Sequence, residues 1–224
     1  DVARLLSMSR DELWASDAAE YAVEALSHSR IKDVFLLGRR GPAQAAFSNP
    51  EIKELGELAE SDLITRSDET QLDELSAASI ADDRTSKAKV EILQGHAVNR
   101  PLTKPRSLTL RFLVSPVELF GNAEGHVNKM KLVRNTLVAS ETGSLSAKAT
   151  DQFEDLDVGL VFRSVGYRGV PLPGVPFHER WGVILNERGR VIDPESKQPI
   201  VGLYTSGWIK RGPSGVVGTN KPDS

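Results

Sequence analysis

Two stretches hold most of the chemistry this sequence offers. The first is Gly38-Arg39-Arg40-Gly41-Pro42, which follows the apolar run Val34-Phe35-Leu36-Leu37. A short apolar run closed by glycine reads as a buried strand reaching a loop. The carboxyl ends of strands are where open α/β sheets hold their ligands. A dinucleotide fold that reads NAD places an acid beside the ribose 2′-hydroxyl, whereas a 2′-phosphate needs the opposite charge. Guanidinium forks match phosphate oxygens in pairs. The arginine pair therefore argues for NADP over NAD. Spacing alone leaves a second reading open, a solvated turn with two surface arginines. The other stretch runs from Gly207-Trp208-Ile209-Lys210-Arg211-Gly212-Pro213 through Ser214-Gly215-Val216-Val217-Gly218. Its glycines surround what reads as a helix start, whose N–H groups attract anionic or electron-rich groups. The alternative here is a Gly-Pro turn with an exposed tryptophan.

Several elements must position these residues. Asp1 to Leu6 has helical spacing with no cap before it, so the chain reads as if it starts inside an element. A second helical run has Asp17 and Glu20 placed like a capping box, with Ala19, Ala22, Val23 and Leu26 on one face. The strand Val34–Leu37 follows. Pro50 then suits a first helical turn, with Ser48 or Asn49 as cap and Ile52, Leu55 and Ala59 inward. Glu51 and Glu54 lie one turn apart on that helix. A Ser48-x-x-Glu51 capping box accounts for Glu51 without any ligand.

Further on, residues 70 to 87 read as a surface helix, and Lys89 to Leu93 as a short strand. Residues 100 to 106 read as a loop. The alternation of Leu108, Leu110, Phe112 and Val114 with Thr109 and Arg111 continues past Pro116 at Val117 and Leu119. Met130 and Leu132 alternate with Lys129 and Lys131. Together they predict an antiparallel sheet with one wet face, inserted into an otherwise α/β chain. Val158 to Phe162 predicts another buried strand. Proline and glycine are dense from Gly169 to Phe177, which marks a domain crossing. Short strands are expected at Val183–Leu185 and Leu203–Thr205.

At 224 residues the chain fits one large domain or one and a half small ones. With 28 basic and 31 acidic residues the net charge is −3, which suggests no general nucleic-acid affinity. No apolar run approaches about 18 residues, so no membrane span is expected, and a cytoplasmic setting is the default. The chain has no cysteine, hence no disulfide, dithiol or iron–sulfur ligand set of its own. His28, His96, His126 and His178 lack metal-ligand spacing, and no metal is assigned.

Asp1-Val2-Ala3-Arg4, Gly38-Arg39-Arg40-Gly41-Pro42 with Gln44 and Phe47, Ser164-Val165-Gly166-Tyr167, and Gly207-Trp208 through Gly218 occur in this order. In this the chain resembles the adrenodoxin-reductase-like NADPH:ferredoxin reductases, the bacterial members above all. The likeness runs through most of the chain and is weakest over Ser61 to Lys104. It implies an α/β fold of the two-dinucleotide-binding flavoprotein type. Residues 1–168 would be the Rossmann-like NADP-binding domain with its antiparallel β insertion, and 169–224 a returning segment of the FAD-binding domain. The activity implied is hydride transfer from NADPH to FAD, then single-electron transfer to an iron–sulfur ferredoxin. By the same resemblance Arg39 and Arg40 would grip the 2′-phosphate, and Glu51 would lie against the adenosine end. Glu54 would be the carboxylate near the nicotinamide–flavin contact. Trp208, Gly215, Val216 and Val217 would touch FAD, with Gly215 also on the nicotinamide side. An acidic ferredoxin calls for a basic docking face, for which Arg100, Lys104, Arg106, Lys129 and Lys131 are candidates.

Where the chain departs from the family pattern, the expectations change. The G-x-G phosphate loop that should precede Asp1, and the amino-terminal FAD domain with its histidine, do not occur in this sequence. The chain alone is therefore expected to bind NADP weakly and FAD poorly and to be inactive; a stoichiometric yellow flavin complex would show otherwise. A glutamate-synthase-type reductase subunit shares the two-domain plan. Thioredoxin-reductase chemistry is disfavoured by the lack of cysteine. A non-catalytic nucleotide-binding or interaction module is the alternative from another class.

Overall fold

A computed structural model describes residues 1–97, 102–141, 143–213 and 221. The chain forms two compact units, Asp1–Val161 and Phe162–Ser224. It is α/β, with several separate sheets.

The first unit opens with helices α1 (Val2–Ser7), α2 (Arg10–Trp14) and α3 (Glu20–Ser27). The expected Asp17–Glu20 box does not form: α3 is capped at Ala19 without a side-chain bond. The box sits earlier, where Ser9 and Glu12 cap α2 reciprocally. Strand β1 (Asp33–Leu37) then leads through a 3-10 turn at Pro42–Gln44 to α4 (Asn49–Glu57). Strand β2 (Ser61–Thr65) follows, then α5 (Ser67–Thr70), α6 (Glu74–Ser79) and α7 (Arg84–Gly95). The single surface helix expected over residues 70 to 87 is thus broken twice.

Lys89 to Leu93 is helical rather than a strand. Asp83 caps α7 by accepting from the amides of Thr85 and Ser86, and Val90 and Leu93 are buried three residues apart on one face. Five residues of apolar–polar alternation suit either period, and the cap upstream decides it.

Strand β3 (Arg106–Arg111) lies between β1 and β2 in a parallel sheet of order β1-β3-β2. It has no wet face. Leu108 and Leu110 are fully buried on one side, and Ser107, Thr109 and Arg111 are buried on the other. The alternation that predicts an antiparallel strand is here a central parallel strand whose polar side is buried as well. Ser107 Oγ donates to Asp33, and Arg111 is neutralised by Glu69, so neither remains costly inside. Around this sheet Val34, Ile52, Leu58, Leu63, Leu93, Leu108, Leu110 and Phe112 form the main core. Leu58, rather than Ala59, completes the inward side of α4.

At Leu113, with φ 55°, the chain leaves the parallel sheet. Strands β4 (Val114–Gly121), β5 (Val127–Ala139) and β6 (Leu145–Asp157) form a separate antiparallel sheet of order β4-β5-β6. Pro116 is tolerated because β4 is an edge strand, and the register slips between Pro116 and Glu118. The strand expected over Val158–Phe162 is not formed. The ladder ends one residue earlier, at Asp157, and Leu160 and Phe162 are exposed. The polar composition of β6 concealed it.

The second unit consists of short pieces: β7 (Phe177–His178), β8 (Val183–Ile184), β9 (Asn186–Glu187), β10 (Arg190–Ile192), β11 (Pro199–Tyr204) and α8 (Trp208–Arg211). Strands β7 and β8 pair with each other, and β11-β10-β9 form a small antiparallel sheet.

Candidate functional site

The loop after β1 is held by its own carbonyls. Gly38 donates its N–H to Arg111 O at 2.8 Å and accepts from Val114 N at 3.2 Å. Arg40 O accepts from Leu113 N at 3.2 Å. Arg39 O accepts from Asn135 Nδ2 at 2.9 Å. Three consecutive carbonyls are thus bound to the region where the parallel sheet gives way to the antiparallel one. An added Cβ at position 41 would sit 3.0 Å from Gln44 Oε1, so a side chain there would require the Gln44 amide to give way.

With the backbone fixed, both guanidinium groups project into solvent. Arg39 and Arg40 are exposed, and neither side chain forms an ion pair or hydrogen bond among the described residues. Two adjacent cations without a carboxylate partner, on a rigid turn at a strand's carboxyl end, can take a dianion such as a phosphomonoester. The far side of the loop is anchored too. Lys89 donates from Nζ to Ala45 O at 2.6 Å and lies 5.8 Å from the centroid of the Phe47 ring. Burial pulls its ammonium below the usual lysine range.

Glu51 and Glu54 both stand on α4, yet they face different partners. Glu51 Oε2 accepts from Ser48 N at 2.6 Å and Ser48 Oγ at 2.8 Å, and Ser48 Oγ accepts from Glu51 N. This is the full capping box. The Ser48 amide, then its hydroxyl, hold the Glu51 carboxyl below the usual carboxylate range. Glu54 is half-exposed and pairs with Arg4 of α1 at 2.9 Å. It ties the first helix to α4 and leaves one carboxylate edge open to solvent.

Below the loop lies a buried ionic cluster that the sequence does not reveal. Glu69 on α5 is completely buried and accepts from Arg111 Nε at 2.9 Å, Phe112 N at 2.8 Å and Arg134 Nη1 at 3.3 Å. Arg111 also donates to Glu154 on β6. Burial alone would lower the Arg111 pKa, but Glu69 and Glu154 outweigh it and raise it. The cluster joins α5, β3, β5 and β6 through side chains more than 40 residues apart in the chain. No local pattern signals such a contact.

The expected basic docking residues do not form a free patch. Lys104 Nζ is bound to Leu58 O at 2.6 Å, and Arg106 Nη1 to Met8 O at 2.8 Å. Lys129 pairs with Asp155 at 3.2 Å, while Lys131 sits 5.0 Å from the Phe153 ring centroid. Arg100 lies outside the described residues.

In the second unit, Gly207 precedes α8 with φ 69° and ψ −150°, a conformation open essentially to glycine. Trp208 is 44% exposed, and its ring lies 5.8 Å from that of Tyr167 at 33°. Asn186 Nδ2 donates to Lys210 O at 2.8 Å and fixes the end of this short helix. An open cavity of 260 Å³ adjoins it, lined by Trp181, Val183, Ile184, Asn186, Lys210 and Arg211. Gly215, Val216 and Val217 lie outside the described residues. Among the described residues no cluster has the composition of a metal site, and no helix is long and apolar enough to cross a membrane.

No protein-family model matches the chain. The NADPH-ferredoxin reductase FprA of Mycobacterium tuberculosis is 41% identical over 227 residues, covering 100% of this chain and 47% of that protein. The mitochondrial NADPH:adrenodoxin oxidoreductase of Arabidopsis thaliana is 36% identical over 98% of this chain and 47% of its own. Among solved structures, Mycobacterium tuberculosis FprA in complex with NADPH matches with a TM-score of 0.87 and 40% identity, covering 99% of this chain and 47% of that one. The chain thus spans about half the length of the relatives it matches. Within that span the chain is similar to NADPH-ferredoxin reductase and NADPH:adrenodoxin oxidoreductase in sequence, and to the former in backbone as well.

Proposed function

We propose that this chain is the NADP-binding part, with a returning strip of the FAD-binding domain, of an NADPH:ferredoxin oxidoreductase. In that reading residues 1–168 form the Rossmann-like NADP domain with its antiparallel insertion, and residues 169–224 belong to the FAD domain. Bound FAD would supply the redox chemistry, hydride acceptance from NADPH and single-electron delivery to an iron–sulfur ferredoxin. This chain's own residues bind and orient. Arg39 and Arg40 take the 2′-phosphate, and Glu51 holds the start of α4 beside the adenosine. Glu54 presents its open carboxylate edge toward the nicotinamide end. Trp208 supplies a flat apolar surface for FAD, and Gly215, Val216 and Val217 the backbone that approaches it. The partner is a ferredoxin and the setting cytoplasmic.

One observation carries this reading: two exposed, unpaired guanidinium groups on a loop whose backbone is fixed at three successive carbonyls. The test needs only the chain and two small probes, 2′,5′-ADP and 5′-AMP, which differ by the 2′-phosphate. Titration followed by NMR is expected to show tighter binding of 2′,5′-ADP. Arg39→Gln with Arg40→Gln should cut that preference by more than about tenfold, since two charge-assisted contacts are removed. Equal affinity for both probes in the unaltered chain would defeat the proposal.

A further inference from the structure

Asn135 has no role in the reading above, yet among the described residues its side chain makes the only side-chain hydrogen bond to the backbone of the arginine pair. It lies on β5 at a register slip between Val133 and Asn135, where the ladder with β6 is interrupted. Its residue is 8% exposed. Nδ2 donates to Arg39 O at 2.9 Å and to Ser115 Oγ at 2.8 Å. A carbonyl can only accept, so the amide must present its NH₂ group to Arg39 whichever way it is otherwise assigned. The backbone N–H of Asn135 donates to Leu113 O at 2.7 Å, and Leu113 N in turn donates to Arg40 O. The residue therefore holds the loop at two successive positions, directly at Arg39 and through Leu113 at Arg40.

Leu113 sits at φ 55°, where a branched residue is strained unless its surroundings fix it. The Asn135 N–H contributes to fixing it. Without the side-chain amide, Arg39 O would be the one carbonyl of three left unbound, midway between the two clamped ones. The peptide joining Arg39 to Arg40 could then rotate, and the two guanidinium groups would no longer share one geometry. A bidentate anion site suffers from such a change far more than a site for a neutral ribose edge does.

We infer that Asn135 is a positioning residue for coenzyme selectivity: it sets the Arg39–Arg40 geometry that distinguishes a 2′-phosphate from a 2′-hydroxyl. This rests on the proposed role of the two arginines. A patch that merely repairs the slip in β5 would lower stability and leave selectivity alone.

The experiment measures the ratio of dissociation constants for 5′-AMP and 2′,5′-ADP in the 224-residue chain. Asn135→Leu, close in volume and lacking a donor, is compared with the Arg39→Gln/Arg40→Gln double variant. The ratio should fall about five- to tenfold in Asn135→Leu, the scale of one lost positioning hydrogen bond. Asn135→Ser, too short to reach Arg39 O, should lower it similarly. Should neither variant fold, the side-chain NH₂ resonances of Asn135 in the unaltered chain decide. They should move on adding 2′,5′-ADP and stay in place with 5′-AMP. An unchanged ratio in both Asn135 variants, or unmoved resonances, overturns this inference while the arginine reading stands. If instead the double variant keeps its preference, the arginine reading itself fails.

Discussion

The two units bury their apolar side chains to very different extents. In residues 1–161 a closed core surrounds the parallel sheet, with Ile52, Leu93, Leu108 and Leu110 all fully buried. In residues 162–224 the buried apolar side chains among the described residues are Ile184 and Val191. Tyr167, Trp181 and Tyr204 are there mostly exposed, and Val201 is 98% exposed. A unit of that size buries a smaller fraction of its unfolded surface than a larger domain does and holds together marginally by itself. The contrast teaches where folding energy resides. The arginine loop is anchored to a unit that closes its own core, whereas Trp208 stands on a strip whose apolar surface faces outward. That is the arrangement expected if the strip belongs to a larger domain, as proposed.

The sharpest way to break this comparison is to damage the closed unit at its buried ionic cluster. Glu69→Ala would leave Arg111, 5% exposed, without its main partner and Phe112 N without an acceptor. Breaking one side of a buried pair costs about 3–5 kcal/mol. Urea unfolding of residues 1–161, followed by hydrogen exchange resolved along the chain, should show that loss. Exchange in residues 162–224 should be far less affected. A loss below about 1 kcal/mol in the first unit would mean that the cluster is solvated and that apolar packing alone holds the sheets.

A smaller effect concerns the cap beneath the arginine loop. Ser48→Ala should cost about 1 kcal/mol at neutral pH, the usual worth of an N-cap side chain. Its pH dependence follows from the lowered pKa of Glu51. The folded state holds that carboxyl below its unfolded value, so its stabilisation is full above the unfolded pKa. It is lost as pH falls through the folded pKa, below the usual carboxylate range. Asp62 and Asp83 behave the same way, held down first by the Lys104 amide and the Ser86 hydroxyl respectively. On acidification the difference in thermal unfolding between the Ser48→Ala variant and the parent chain should therefore narrow without closing, since the variant keeps the Ser48 amide bond to Glu51 and the lost Glu51 N–H bond to Ser48 Oγ does not titrate. A gap that persists unchanged into strong acid would remove Glu51 from the account.

How much of this was legible in the sequence depends on the range of the contact. The arginine loop, the Ser48–Glu51 box and the strand before them are local signals, and all three stand where the spacing puts them. Long-range pairing was not legible. The polar side of β3 was read as wet because nothing near Arg111 in the chain announces Glu69, 42 residues away. Lys89 to Leu93 reads as a short strand but is helical, and the Lys89 Nζ reaches Ala45 O, a partner 44 residues back that no local pattern signals. Asn135 escaped notice for the same reason. Its chemistry is ordinary, and only the fold brings it to Arg39.

The smallest expected effect is the one that tests the comparison from the open side. Val201 on β11 makes almost no apolar contact in the chain, so Val201→Ala should change unfolding by less than about 0.5 kcal/mol. In a reductase of roughly twice this length, where the proposed FAD domain is complete, the surface around β11 would be buried. The same substitution would then remove two buried carbon groups and cost about 1–2 kcal/mol. Denaturant unfolding in both settings gives the two numbers. If both are near zero, Val201 faces solvent in the complete domain as well, and the outward apolar surface of this unit needs another cause. If the short chain already loses more than 1 kcal/mol, that side chain is packed, and the contrast between the units is weaker than their exposure implies.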